Sequence, residues 1–161
     1  MNVQKIMAYT ENARLLLYET LDAHPEARNA AFETISHYQM ITALVAHLVG
    51  AEQRWTIGRL YAEQAPARYE EQAAPDWDGL KADWNAIRAR TLLFVGTEST
   101  DWDRVIPVDL AQSGQKMTLT AEEVVLHLCN HQTWHIGQIS MALQQQGIDP
   151  PNFDYVLLKP S

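Results

Sequence analysis

Apolar residues recur at three- and four-residue spacing along four stretches of the chain, with polar residues filling the gaps, which is the signature of amphipathic helices. Over residues 3–21, Ile6, Tyr9, Ala13, Leu16, Leu17 and Leu21 fall on one helical face, and Glu11, Arg14 and Glu19 lie between them. His24-Pro25 ends that pattern, because the residue before a proline is pushed out of the helical region. Residues 26–33 carry too little patterning to fix more than a loop or a short helical turn. A second helix is predicted over 36–64, with Ser36 as its cap and Ile41, Leu44, Val45, Leu48, Trp55 and Leu60 on its buried side. Ala65-Pro66 and Ala74-Pro75 bound a polar, acidic linker. Asp76 or Asp78 then caps a third helix, which carries Leu80, Trp84, Ile87, Leu92 and Phe94 to about Gly96 or Thr97.

Two short β-prone runs, 102–108 and 116–119, flank Gln112-Ser113-Gly114-Gln115 and predict a hairpin or an irregular excursion. Thr120-Ala121-Glu122-Glu123 is a capping box, so the last helix should start at Ala121. Gly147, followed by Pro150-Pro151, should end it. The tail, 152–161, holds aromatic and aliphatic residues suited to packing back across the other helices. The chain has no internal repeat and no glycine-rich phosphate loop. Four main helices, three of them long, predict an all-α fold, an up-and-down four-helix bundle with long connections and a short β-hairpin before the last helix. Facing helices of such a bundle can build metal sites in their interior.

Composition narrows the class. With 161 residues and 47% hydrophobic content, one domain spanning 1–161 suffices for a sizeable core. The formal charge of -8 offers no electrostatic footprint for a phosphate backbone, which argues against nucleic acid and anionic membrane as partners. No run approaches the roughly 20 apolar residues of a membrane span, and Met1-Asn2-Val3-Gln4-Lys5 leads into an amphipathic segment rather than a signal-peptide core. Cys129 is the single cysteine and has no partner for an internal disulfide, so a reducing cytoplasm is the expected setting.

The unusual chemistry lies in the last helix. Residues four apart on a helix stand about 6 Å apart along its axis, so His127, His131, His135 and Gln138 form one polar stripe. Such imidazoles are satisfied core groups, a proton-handling array, or metal ligands. If all were protonated they would repel one another, a conflict that a metal removes by holding the ligating rings neutral. Spacing leaves His127/His131 and His131/His135 equally good as a chelating pair. His47, mid-helix in a separate segment and followed by Gly50 and Ala51, is where an antiparallel neighbour could meet the stripe. His24 and His37, in the weakly patterned region, read as solvated or locally bonded. Cys129 is about 200° of rotation from His131 and should face the core.

His131-Gln-Thr-Trp-His135-Ile-Gly-Gln138, preceded by His127-Leu-Cys-Asn and followed by Gly147-Ile-Asp-Pro-Pro-Asn-Phe-Asp154, resembles the last helix and C-terminus of the DinB/YfiT-like family of metal-dependent enzymes. His47-Leu-Val-Gly-Ala-Glu52-Gln-Arg-Trp55 is similar to that family's second-helix motif, so the resemblance spans essentially the whole chain. It implies a four-helix bundle, often a homodimer, with one divalent metal ion per chain held by His47, His131 and His135. His127 then becomes a pocket or proton-transfer residue. One departure is Ile136, where many members have arginine, which bears on the rim of the site or a dimer contact.

Three imidazole ligands leave a coordination position open, the pattern of a catalytic site; zinc or nickel are the first choices. Such a metal acidifies a bound water or thiol. Glu52 is a candidate proton acceptor or anchor for an imidazole N–H. Trp55, Trp134 and Tyr38 are candidates for the walls of an apolar pocket. Three functions follow as alternatives. The chain is a thiol S-transferase or hydrolase acting on a small-molecule substrate with a low-molecular-weight thiol or water, a non-catalytic metal-binding stress-response protein, or a structural bundle with packed histidines.

Overall fold

A computed structural model of the chain describes residues 2–34, 37–64, 67, 69, 76–110 and 114–160. The expected Ser36 cap, the proline-bounded ends of the acidic linker, and Gln112 and Ser113 of the hairpin loop lie outside the described residues. Four long helices carry the fold: α1 (Val3–Ala23), α2 (Ile41–Trp55), α3 (Trp77–Gly96) and α4 (Ala121–Gln145). A hairpin of β1 (Val105–Leu110) and β2 (Gln115–Thr120) precedes α4, and one further turn, α5 (Tyr155–Leu158), closes the chain. The protein is therefore the all-α bundle with a short hairpin that the patterning predicts.

The ends of the helices follow local chemistry. The Asn2 side chain accepts from the Lys5 amide, and Asp76 accepts from the Gly79 amide, which fixes the starts of α1 and α3. Thr120 and Glu123 form the reciprocal capping box at the start of α4. Thr120→Ala should cost about 1 kcal/mol, the usual loss for an N-cap hydroxyl. Urea unfolding would measure it, and an unchanged midpoint would mean that β2 already holds the entry to α4. At the other end Gly147 adopts φ 74°, a left-handed conformation that glycine takes without strain.

α2 departs from its predicted bounds of 36–64. Its first residue is Ile41, after an extended Met40, because the backbone before it is turned by a Phe32 N–H to Gln39 carbonyl bond of 3.0 Å. Its α-helical geometry stops at Trp55 and widens into a π turn over Thr56–Leu60, closed by the Tyr61 amide donating to the Thr56 carbonyl at 2.9 Å. Ala62, at φ 54°, then ends the helical run.

Packing sets the directions of the helices. Gln4 bonds to Val95 at one end of α1 while Tyr18 packs edge-on to Trp77 at the other, so α1 and α3 are antiparallel. Trp55 lies against His127 and His47 against His135, so α2 and α4 are antiparallel as well. Val3 and Met7 share a core cluster with Val124 and Val125, whereas Leu17 and Leu21 share another with Ile139 and Leu143. α1 and α4 are thus parallel, and the four helices run up, down, down, up. The long connection between α2 and α3 is what permits two consecutive helices to share a direction. The tail packs back as expected: Tyr9 donates to the Phe153 carbonyl at 2.7 Å and Asn12 to the Leu158 carbonyl at 2.8 Å.

The apolar core has two halves. One surrounds Trp84, Leu44 and Leu80, and the other lies under the hairpin around Ile106, Val108 and Val124. Between them runs a buried polar layer containing Thr10, Glu52, Thr56, Arg88, Thr91 and Gln132.

Candidate metal centre

The same antiparallel contact of α2 and α4 brings three imidazoles together. His47 Nε2 lies 3.2 Å from His131 Nε2, and His135 Nε2 lies 3.2 Å from that same atom. His47, His131 and His135 are the group among the described residues that could hold a metal ion, with ligand atoms all within 4.8 Å of one another. His135 is buried, and the other two are half-buried.

The outer nitrogens of two rings are already engaged. Tyr38 Oη lies 2.8 Å from His47 Nδ1, with its ring stacked on the imidazole at 4.6 Å. His135 Nδ1 donates to Gln138 Oε1 at 2.6 Å, which turns the Nε2 lone pair of that neutral ring inward. A single proton on His131 Nε2 cannot serve both neighbours fully, so in the neutral state inward lone pairs are left facing one another. A cation resolves that conflict. Ligand atoms bound at about 2.0–2.1 Å to one ion stand about 2.8–3.4 Å apart across octahedral to tetrahedral angles, and both separations from His131 Nε2 fall in this interval.

Electrostatics favours neutral rings. Burial pushes His131 down to about 3, and the neighbouring His135, His47 and His127 rings and the Arg54 guanidinium add to the shift. His135 is lowered chiefly by burial, with the Gln138 bond opposing the shift and His47 adding to it. Burial alone lowers His127. A histidine whose folded pKa is depressed binds fewer protons folded than unfolded between the two values. Stability is therefore complete above about pH 6.5 and is lost as pH falls toward 3. For His131 the slope approaches about 1.4 kcal/mol per pH unit in that window, less whatever solvent reaches the ring. Urea titrations of metal-stripped protein at pH 7 and pH 5 should show the loss, and equal stabilities would refute it.

The remaining sequence candidates separate. His127 stays on the stripe but stands off the triad, 5.7 Å from His131 by ring centroid and 4.5 Å from the Trp55 ring. Trp134 is 68% exposed and belongs to neither core half. Cys129 is buried beside Thr10, where burial pushes its thiol up to about 11. Ile136, considered above for the rim, is buried in the core with Ile139 and Leu143, where an arginine would have no place. His24 bonds only locally, to Glu26, and His37 is exposed.

Glu52 requires a correction. Rather than reaching an imidazole, its carboxylate accepts from Trp84 Nε1 at 2.9 Å, Thr91 Oγ1 at 2.7 Å, and Arg88 at 2.8 and 2.9 Å. Five residues beyond His47 is about 140° around the helix, which turns it toward α3. Tyr38 and Gln138 are the groups that touch the outer ring nitrogens. The stripe already contained Gln138. Tyr38, a candidate pocket wall, falls inside the helix predicted over 36–64, where nine residues before His47 is the opposite helical face, and only the start of α2 at Ile41 frees it to reach that ring.

A model of the DinB family matches residues 1–161, the whole chain. The chain belongs to the DinB family. No match is found among curated proteins. For this DinB chain, family and geometry meet at one place, the three-histidine cluster, which is compatible with a metal ion. No helix among the described residues is long and apolar enough to cross a membrane.

Proposed function

We propose that this DinB-family chain is a metal-dependent enzyme that activates a low-molecular-weight thiol or water for attack on a small electrophile, as a thiol S-transferase or a hydrolase. The observation that carries the reading is the convergence of three imidazoles, with the Nε2 atoms of His47 and His135 each 3.2 Å from His131 Nε2 and the Nδ1 of both those outer rings already held. His47, His131 and His135 are the assigned ligands of one ion per chain, with zinc or nickel as the metals that best suit imidazole. When bound, such an ion acidifies a coordinated thiol or water. The chain's own contribution is to keep His131 and His135 neutral and all three rings oriented. His127, beside Trp55 at the end of the stripe, is the group assigned to proton transfer or to the pocket wall. A homodimer of the 18.3 kDa chain in a reducing cytoplasm belongs to the same proposal.

One observation favours a second reading. With Glu52 bound to Arg88, no described carboxylate stands at the triad as a general base. A non-catalytic metal-binding stress-response protein needs none. Turnover separates the two. Protein loaded with zinc or nickel, given a small thiol and an alkylating or epoxide electrophile, or a small ester without thiol, should react faster than its His131→Ala variant. Full metal occupancy with no turnover across both panels would favour the non-catalytic protein.

A further inference from the structure

The buried Glu52–Arg88 pair lies one layer behind the histidines and touches all four long helices. Arg88 of α3 bonds to Glu52 of α2 through Nε at 2.8 Å and Nη2 at 2.9 Å. The same Nη2 donates to Gln132 Oε1 of α4 at 2.6 Å, and Gln132 Nε2 donates to the Thr10 carbonyl of α1 at 2.6 Å. Gln132 is the residue after His131, and Glu52 lies five residues beyond His47. Side chains of Glu52, Arg88 and Gln132 are all at least nine-tenths buried.

Stability alone does not account for such a pair. Removing two charges from water costs several kcal/mol per ion, and apolar residues of similar volume often serve as well or better. What a fully bonded polar layer supplies is register. An apolar interface tolerates a slide of one residue, about 1.5 Å along a helix, by repacking. Glu52 and Gln132 cannot slide without parting from a shared Arg88 nitrogen. A triad drawn from two helices needs that constraint, since a slide of that size is comparable with a whole metal–ligand bond.

We propose that Glu52, Arg88 and Gln132 are positioning residues that lock the register of α2 against α4 and so fix His47 opposite His131 and His135. The proposal rests on the metal-site reading above, and its test separates the two. The variant is Glu52→Gln/Arg88→Met, which removes the charge pair while leaving an amide oxygen to accept from Trp84 Nε1 and an amide N–H that the Thr91 hydroxyl can accept. Cobalt(II) titration, followed by its visible spectrum, reports the site. Ring-to-ring nuclear Overhauser contacts between His47 and His131 in metal-free protein report the register independently. Val95→Ala, a truncation in the other core half on the same helix, controls for lost stability.

The expected result is at least a tenfold weaker cobalt affinity, an altered spectrum and weakened His47–His131 contacts in the double variant, with Val95→Ala like the parent. Arg88→Lys, which keeps the cation but not the two-pronged geometry, should fall between them, and it decides the matter if the double variant does not fold. Parent-like affinity and ring contacts in the charge-free variant would overturn the proposal, as would an equal loss in Val95→Ala. A parent chain that takes up no cobalt would overturn the metal reading, and the metal-free ring contacts would still judge the register.

Discussion

Replacing His131 by alanine is expected to reduce the divalent metal carried by the chain from about one equivalent to almost none, with the helical content preserved. His131 Nε2 is the atom 3.2 Å from both other ring nitrogens, so its loss leaves no pair of described ligands at that spacing. Loss of an outer-shell partner alone typically costs 10–100-fold in metal affinity, and loss of a ligand should cost more than this roughly hundredfold ceiling. The fold should tolerate the change, because alanine is the best helix former and the deleted ring is only half-buried. Elemental analysis of untagged protein, parent beside variant, makes the measurement. His127→Ala is the companion, since that ring packs on Trp55 and should be dispensable for the metal. If His127→Ala loses metal as His131→Ala does while His135→Ala keeps it, the stripe binds through its other pair, His127/His131, and the ligand assignment is wrong. If no variant or parent holds metal after incubation with zinc or nickel, the cluster is a packing feature.

The stripe was legible because a helix converts sequence spacing into a line of side chains with no tertiary information. The same holds for the capping box at Thr120 and for part of the apolar faces of α1 and α3, where Ala13, Leu17, Leu21, Leu80, Trp84 and Ile87 are buried as expected, although Arg14, read as one of the polar residues between them, is buried too. Contacts between helices were legible only where the residue type announced them, as His47 did. Glu52 illustrates the limit. In a helix it reads as a solvated acid or a helper of the nearest histidine, and only its rotation toward α3 reveals Arg88. A signal for Arg88 did exist: it falls among Leu80, Trp84, Ile87 and Thr91 on the face that points inward, where an arginine demands a buried partner. The π turn after Trp55 had no such signal, since residues 56–60 continue an acceptable helical pattern. The order up, down, down, up depends on a connection whose length, and not its pattern, decides the direction of α3.

Glu52→Leu is expected to be the most destabilising single substitution discussed here, by about 3–5 kcal/mol. The leucine side chain itself is not the cause, since it is apolar and similar in size. What costs is the company Glu52 leaves behind. The Arg88 guanidinium would lose both of its bonds to the carboxylate, and the Trp84 and Thr91 donors would lose an acceptor in a buried layer. Glu11, 3.6 Å from Arg88 Nη1, and Gln132 would remain as partial compensation, which points to the lower part of that range. At about 2–4 °C per kcal/mol for a domain of this size, the thermal midpoint of metal-free protein should fall by about 6–20 °C. Calorimetry of parent, Glu52→Leu and Glu52→Gln/Arg88→Met would test the reasoning as well as the number. The double variant removes the charge along with its partner, so it should be distinctly more stable than Glu52→Leu despite carrying one more substitution. If Glu52→Leu melts within about 1 kcal/mol of the parent, Arg88 has found water or Glu11 at little cost. The polar layer would then be too yielding to hold α2 and α4 in register.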